Sequence, residues 1–450
     1  MTAATLEGDA VLHPVDRRPP AATTVLFAIQ HVLVFYGSGV LLPIVAGRAL
    51  GLSPEDIIYL ISADLFTCGI ATLLQSVGVW KFGAKLPTVQ GLATFAIPVV
   101  ISTGKGYGLP VVYGAVIVTG LLSMIAAPYA VKLLRLFPRI VIGVILIAIG
   151  INLINISLKQ MGGFSPVDPN FGDPATLALS FGTLVVVVLL YRTGTGLLRS
   201  ASLLIAMVAM TAVAALIGKV SFAKAAAAAP LAVVMPFHFG LPQFALGPTL
   251  LMLVIGIVAM VETVSSFASV EGIIKKPVDE DTVERGLLAS GLATLIGGVF
   301  NSFPYAVYLG NVGVLEITGV ISRWVVAAAG VLMVVLSLFP KVSALFEAVP
   351  DPIIGGAGLM MFGLITLQGI RMVGAAPFER TGNAILVALS LGIGLAPVLT
   401  PTLLAKLPPQ FGFLTGNTIL LTAVVAVLLN LFLNSAGAGS PREAQSAARP

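Results

Sequence analysis

Apolar residues gather into fourteen runs along the chain, broken by charged residues or by Pro and Gly. The runs fall at about 22–47, 57–80, 86–103, 109–131, 137–157, 175–191, 200–218, 247–270, 286–300, 304–320, 323–339, 350–370, 383–400 and 410–433. A membrane-crossing helix needs roughly 20 apolar residues. The pattern therefore predicts an all-α polytopic membrane protein with fourteen transmembrane segments. The third, ninth and tenth runs are short or interrupted by Gly and Pro, so plain helices are not expected there. Hydrophobic types make up 58% of the 450 residues and charged types only 10%. A soluble domain is nearer ~25% charged, and a disordered chain lacks apolar residues, so both classes are excluded. Residues 1–21 are polar and Pro-rich with no signal-peptide pattern, and 434–450 are rich in Ala, Gly and Ser. Both ends are expected to be cytoplasmic tails.

Basic residues give the orientation. With the loops alternating from an inside N-terminus, 17 of the 24 Lys and Arg fall inside and 7 outside. The positive-inside rule then places both termini in the cytoplasm, across a cytoplasmic (inner) membrane. The net charge of +5 reflects this asymmetry and the anionic lipid of the inner leaflet, not nucleic-acid binding. One cysteine, Cys68, excludes a disulfide framework and a Cys-based metal site. His13, His31 and His238 are too few and too scattered for a His-rich metal centre. No metal and no cofactor are expected.

Two hexapeptides repeat. Gly69-Ile70-Ala71-Thr72-Leu73-Leu74 lies in the second run and Gly291-Leu292-Ala293-Thr294-Leu295-Ile296 in the ninth. Each leads to a Pro that opens an interrupted run, Pro87 and Pro304, and the offsets are 222 and 217 residues. Corresponding runs are seven apart. Seven is odd, so the two halves face opposite ways across the membrane. Inverted repeats with paired broken spans point to a secondary-transporter binding site.

Polar groups inside the spans supply candidate chemistry. Asp64, Glu262 and Glu316 are acids within predicted spans, where each costs roughly 2.5–3.5 kcal/mol on insertion scales. Glu262 lies deep in the eighth run with Ser266 four residues on, on the same helical face. It is expected to bind a polar ligand, carry a proton, or both. Asp64, Glu316, Gln30 and His31 read first as structural hydrogen-bonders. His238 reads as exposed and Cys68 as a small packing residue. The tenth run begins with strand-like alternation at Tyr305-Ala306-Val307-Tyr308 and continues as a short helix, and the third has the same character around Gln90–Phe95. Irregular backbone at membrane depth is tolerated only in a cavity or inside protein. A half-helix beginning near Asn311 would aim backbone N–H groups at a ligand. The two breaks together predict a small planar-ligand pocket, with one carboxyl, one amide, and Phe95 and Tyr308 as stacking faces.

These residues resemble the nucleobase–ascorbate transporter family, or xanthine/uracil permeases. Asn311-x-Gly313-x-x-x-x-Thr318-Gly319 is similar to the family signature. Gln30-His31, Glu262, Phe300–Tyr305 and Gly355–Gly363 also look like that family, and the likeness runs from about 22 to 433. It is nearest the bacterial xanthine and uric-acid permease branch. The resemblance implies two inverted seven-span repeats. Core segments would be 22–131 and 247–340, and gate segments 132–246 and 341–433. It also implies a homodimer in membrane lipid and proton-coupled uptake of a nucleobase, either a purine such as xanthine or urate, or uracil, by an elevator-like movement. It puts Glu262 on the base, with Asn311, Gly310, Phe95, Tyr308 and Thr94 around it. His31, Gln30, Ser266 and Asp64 would support the site or the proton coupling.

The chain departs from the family at three polar positions. Gly310 stands where Gln or Glu is usual, Ser266 where an acid follows the span-eight Glu, and Ser290 where an Asp is usual. Loss of a bidentate amide removes a strong means of rejecting analogues, so substrate preference is not carried over. The competing reading is a transporter of anions or another small heterocycle on the same seven-plus-seven fold. A buried carboxylate at Glu262 argues against an anion site. A membrane enzyme fares worse. No paired-acid, Ser/His/Asp or metal constellation occurs in one span or loop, and no Walker-type run exists.

Overall fold

A computed structural model describes residues 13–129, 138–163, 168–378, 381–400, 402–404, 406–407 and 417–434. The expected tails at 1–12 and 435–450 lie outside the described residues. The larger helices of the first half are α1 (Ala21–Gly39), α2 (Leu41–Ala49), α3 (Pro54–Val77), α4 (Ile97–Tyr107), α5 (Leu109–Ala126), α6 (Arg139–Met161), α7 (Pro174–Thr193) and α8 (Ser202–Leu216). Those of the second half are α9 (Leu246–Ile274), α10 (Glu280–Val299), α11 (Leu309–Thr318), α12 (Arg323–Ser337), α13 (Pro340–Glu347), α14 (Asp351–Gly374), α15 (Thr381–Gly394) and α16 (Thr418–Asn434). Two three-residue strands, β1 (Gln90–Leu92) and β2 (Tyr305–Val307), precede α4 and α11.

Among the described residues, eight helices are long and apolar enough to cross a membrane, and nine if the pair α12–α13, bent by 84°, counts as one. Three shorter apolar helices, α8, α11 and α16, join them. Among the described residues each of the fourteen runs overlaps a helix or strand, with 410–416 of the last run lying outside them, but four depart from the expected shape. The first run is one span, Ala21–Ala49, interrupted for a single residue at Val40 between α1 and α2, because Pro43 has no N–H to give the carbonyl of Gly39. The ninth is a continuous helix despite its glycines, and starts earlier than its apolar stretch, at Glu280. Asp279 caps it through the Thr282 N–H at 2.9 Å. The eleventh runs on past its apolar stretch, through the bend, into α13. The helix of the tenth run, α11, begins at Leu309, two residues before Asn311.

The packing has the symmetry of the repeat. The most extensive helix pairs are α6 with α14, α3 with α12, and α5 with α10. Gly69 faces Gly330 and Gly291 faces Gly120, backbone against backbone. A Cβ on Gly69 would lie 2.6 Å from the Gly330 carbonyl oxygen, and one on Gly120 would lie 2.8 Å from that of Gly291. These crossings explain why each hexapeptide opens on Gly: small residues let helix backbones approach in a membrane. Buried apolar side chains from both halves, such as Phe35, Ile61, Val144, Ile255, Phe303 and Ile354, form one continuous core.

Residues 13–18 pack against one end of the bundle. Val15 is fully buried in a small cluster with Phe267, Val307, Val312 and Leu315. Asp16 accepts from Arg323 Nε at 2.7 Å and Lys276 Nζ at 3.2 Å. Arg323 also donates to the carbonyls of Ser76 and Val77, the last turn of α3.

Candidate functional site

β1 and β2 come from opposite halves of the chain and pair antiparallel, Gln90 opposite Val307, Gly91 opposite Ala306 and Leu92 opposite Tyr305. Three residues are too few to make a strand stable alone, so side chains from the flanking helices hold the ends. The Gln90 N–H donates to Thr72 Oγ1 at 3.0 Å, and the Tyr305 N–H donates to Thr294 Oγ1 at 3.1 Å. Thr72 and Thr294 are the same position of the two hexapeptides. The sequence repeat is thus a repeated strand anchor. On the second strand, the Val307 N–H reaches Thr263 Oγ1 at 3.4 Å, next to Glu262 on α9. A Thr294→Val substitution is expected to leave the Tyr305 N–H unsatisfied and to destabilise the fold by about 1–3 kcal/mol. Thermal unfolding of purified protein reads this. An unchanged midpoint would mean that the Tyr305 N–H has found another partner.

Glu262, the expected principal contact, is half-buried at the level of β2, and its helix α9 packs against β2, α11 and the turn Thr94–Ala96. Ser266 is fully buried, and its hydroxyl donates to the Glu262 backbone carbonyl at 2.8 Å. That donor is therefore spent on the helix and not on the Glu262 carboxyl. Thr94 and Tyr308 are half-buried and Gly310 is exposed. Phe95 is only 3% exposed and belongs to the core, so its ring offers little face to a ligand in this conformation. Tyr308 is the more exposed ring. It meets Phe35 edge-on with centroids 6.0 Å apart.

Gly310 lies in the first turn of α11 and has no positive φ. A requirement for a left-handed turn, one reason glycine is retained, does not hold here. The reason in this conformation is space. A Cβ at 310 would fall 2.5 Å from both Cζ and the hydroxyl of Tyr308. The Tyr308 ring folds over the place where the family's Gln or Glu side chain would begin. The Asn311 N–H bonds the Tyr308 carbonyl at 3.1 Å, so the leading N–H groups of α11 are those of Leu309 and Gly310.

His31 is 1% exposed on α1, and its imidazole faces the Asn311 amide. Its Nδ1 and both polar atoms of the Asn311 side chain are buried without a hydrogen-bond partner of good geometry. Buried polar groups are almost always paired, so this spot is short of a partner. Gln30, beside it, is half-buried. The Ser290 hydroxyl donates to the Gly286 carbonyl at 3.1 Å and lies 3.4 Å from Gln90 Oε1, and Gln90 Nε2 is buried without a partner. Gln90 is a further polar residue of the site, beyond those expected from the sequence. A buried amide at the break of a span was the signal available.

The remaining polar candidates sit elsewhere. Glu316 is exposed near the end of α11, so it is not a buried acid. Asp64 lies behind the strand pair with Cys68, whose thiol donates to it at 3.3 Å; the cysteine has polar as well as packing duty. His238 is half-exposed but not idle. It stacks on Tyr59 at 3.7 Å and approaches Asp56 at 3.5 Å. Cavities of about 410 Å³, beside Tyr59 and His238, and about 560 Å³, beside Met207 and Phe346, are lined by none of the candidate site residues. Among the described residues, no group of three or more His, Cys, Asp or Glu could hold a metal ion.

A bundle of apolar helices with two broken segments crossing at its centre defines a multi-pass membrane transporter. The xanthine/uracil permease model, described as "Permease family", matches residues 22–403. The chain is 36% identical to a xanthine permease of Bacillus subtilis (strain 168) over 414 residues, 91% of this chain and 94% of that one. It is 38% identical to the nucleobase transporter PlUacP of Paenibacillus larvae subsp. larvae over 422 residues, 93% of this chain and 96% of that one. The chain belongs to the xanthine/uracil permease family; it is a transporter and not an enzyme. In fold it is similar to the transmembrane domain of the cyanobacterial bicarbonate transporter BicA, with a TM-score of 0.61 at 14% identity, over 91% of this chain and 96% of that one.

Proposed function

We propose that this permease takes up a nucleobase with a proton across the cytoplasmic membrane, by an elevator-like movement of a core past a gate. Fourteen spans form two inverted repeats, with both termini cytoplasmic. The core is 22–131 with 247–340, and the gate is 132–246 with 341–433. The helix pairs support this division: α3 with α12 and α5 with α10 stay within the first group, and α6 with α14 and α15 with α16 within the second. The permease works as a homodimer in membrane lipid, as its family resemblance implies.

The observation that carries the reading is the strand crossing itself. It sets Thr94, just after β1, and Tyr308 and Gly310, just after β2, next to the helix of Glu262. The Glu262 carboxylate accepts from a ring N–H of the base. The Tyr308 ring stacks on its plane, and leading N–H groups of α11 meet its carbonyl oxygens. His31, facing Asn311, fixes that amide, with Gln30 and Ser266 as local support. Relatives named for xanthine, uric acid and nucleobases favour an oxidised purine. The likeness to a bicarbonate transporter concerns fold alone.

Uptake of radiolabelled xanthine, urate, hypoxanthine, adenine and uracil into cells lacking their own permeases tests this. An imposed pH gradient should drive accumulation, and a protonophore should collapse it. Absence of uptake of all five bases would defeat the substrate reading. Uptake that follows sodium and ignores the proton gradient would defeat the coupling.

A further inference from the structure

Asp64 has no exposed surface and stands on α3, behind the strand pair. Its Oδ1 accepts from the Tyr305 hydroxyl at 3.2 Å and from the Cys68 thiol at 3.3 Å. The Tyr305 hydroxyl also meets the hydroxyls of Ser302, at 2.7 Å, and Thr67. Asp64 Oδ2 is buried with no partner. The Tyr36 hydroxyl of α1 feels the charge of the same carboxyl and is likewise buried with no hydrogen-bond partner. Thr67 and Cys68 of α3, Ser302 and Tyr305 of the second repeat, and Tyr36 of α1 are thus the polar groups around Asp64. None is a cation.

A carboxylate at membrane depth with no cation is costly, and buried polar atoms are mostly hydrogen-bonded. This one is half-satisfied. Its unbonded oxygen is where the O–H of a neutral acid would sit. The groups on the bonded oxygen lead to the binding strands. Tyr305 begins β2 and pairs with Leu92 of β1, and the Leu92 backbone lies against the Cys68 sulfur. A proton gained or lost at Asp64 therefore changes hydrogen bonds that touch both strands. On the other side Tyr36 stacks on Phe346 of α13 at 4.7 Å, in the bent pair that leads out of the proposed core.

We propose that Asp64 is the site that carries the coupled proton, separate from the substrate contact at Glu262. The inference rests on the proton-coupled reading given above. The carboxylate takes one proton from water on the side of higher proton activity and becomes the neutral acid. It returns that proton to water on the other side. No bond to substrate forms or breaks. Substrate and proton communicate through Tyr305 and β2.

The test is Asp64→Asn, which keeps an acceptor for Tyr305 and Cys68 but cannot titrate. Counterflow exchange of labelled base between preloaded vesicles and medium should persist within about 3-fold of wild type. Accumulation driven by an imposed pH gradient should fall at least 10-fold and lose its pH dependence. Infrared titration of the purified protein should show a protonated-carboxyl C=O band that Asp64→Asn removes. Accumulation by Asp64→Asn that still follows the pH gradient overturns the proposal, as does a wild-type band unchanged by the mutation. If Asn disrupts folding, Tyr305→Phe keeps the carboxyl and removes its donor; it should shift the pH profile of accumulation, and an unmoved profile overturns the link through β2. Wild-type protein that carries none of the bases defeats the transport reading instead. The infrared titration, which needs no substrate, still decides whether Asp64 binds a proton.

Discussion

Replacing Glu262 by Gln is expected to lower nucleobase uptake by roughly 10- to 150-fold at unchanged surface abundance. Hydrogen bonds to charged groups contribute about 1.5–3 kcal/mol, and 1.4 kcal/mol is about tenfold in affinity. Glu262 is half-buried on α9, and α9 packs against β2, α11 and the Thr94–Ala96 turn at once. No other acid shares that position. Ser266 bonds backbone, Asp64 lies behind the strands, and Glu316 is exposed away from them. Gln has the same size and leaves α9 intact, but it turns one acceptor into a donor that opposes a ring N–H. Initial uptake rates at saturating and limiting base separate binding from translocation. Normal uptake by a normally abundant Glu262→Gln protein would remove Glu262 from the site.

Gly310→Gln is expected to change which bases are carried more than how much protein is made. Gly310 is helical, so Gln there gains roughly half a kcal/mol of helix propensity and needs no unusual backbone. The new Cβ and the Tyr308 ring cannot share the space, since they would approach to 2.5 Å. Tyr308 must swing away, and the amide then takes the place its hydroxyl held. Uptake should shift toward oxidised purines, whose carbonyl and N–H pattern a Gln matches in two bonds. Gly310→Ala isolates the steric part: a methyl displaces the ring without supplying an amide, so uptake should weaken without a gain for any base. An abundant Gly310→Gln protein with unchanged ranking would show that position 310 does not face the ligand.

Several site features were legible because they are local. The Gly/Pro interruptions in the third and tenth runs mark the two strands, and the strand-like start of the tenth matches Tyr305–Val307. The ninth run misled, because its glycines serve a helix crossing with α5 and not a break. Phe95 and Tyr308 looked alike as stacking rings. Only packing distinguishes them, since Phe95 points into the core and Tyr308 lies half-exposed over Gly310. The Asp64–Tyr305 bond joins residues 241 positions apart, and no periodicity in either segment encodes it.

The sequence by itself determined the class of molecule. Long apolar runs can only be satisfied as membrane helices, and the paired hexapeptides and prolines gave the repeat. The family signature around Asn311 and the acid at Glu262 gave the transporter. The tertiary structure decided what each repeated residue is for. Thr72 and Thr294 became strand anchors, Gly69 and Gly291 became helix crossings, and Gly310 became room for Tyr308. The physical reason is range. Hydropathy and turn chemistry act within a few residues of the chain, so they are written in order along it. The crossing of β1 with β2 brings together positions more than 200 residues apart. Their contacts are fixed by how two whole helical repeats pack, which no local pattern carries.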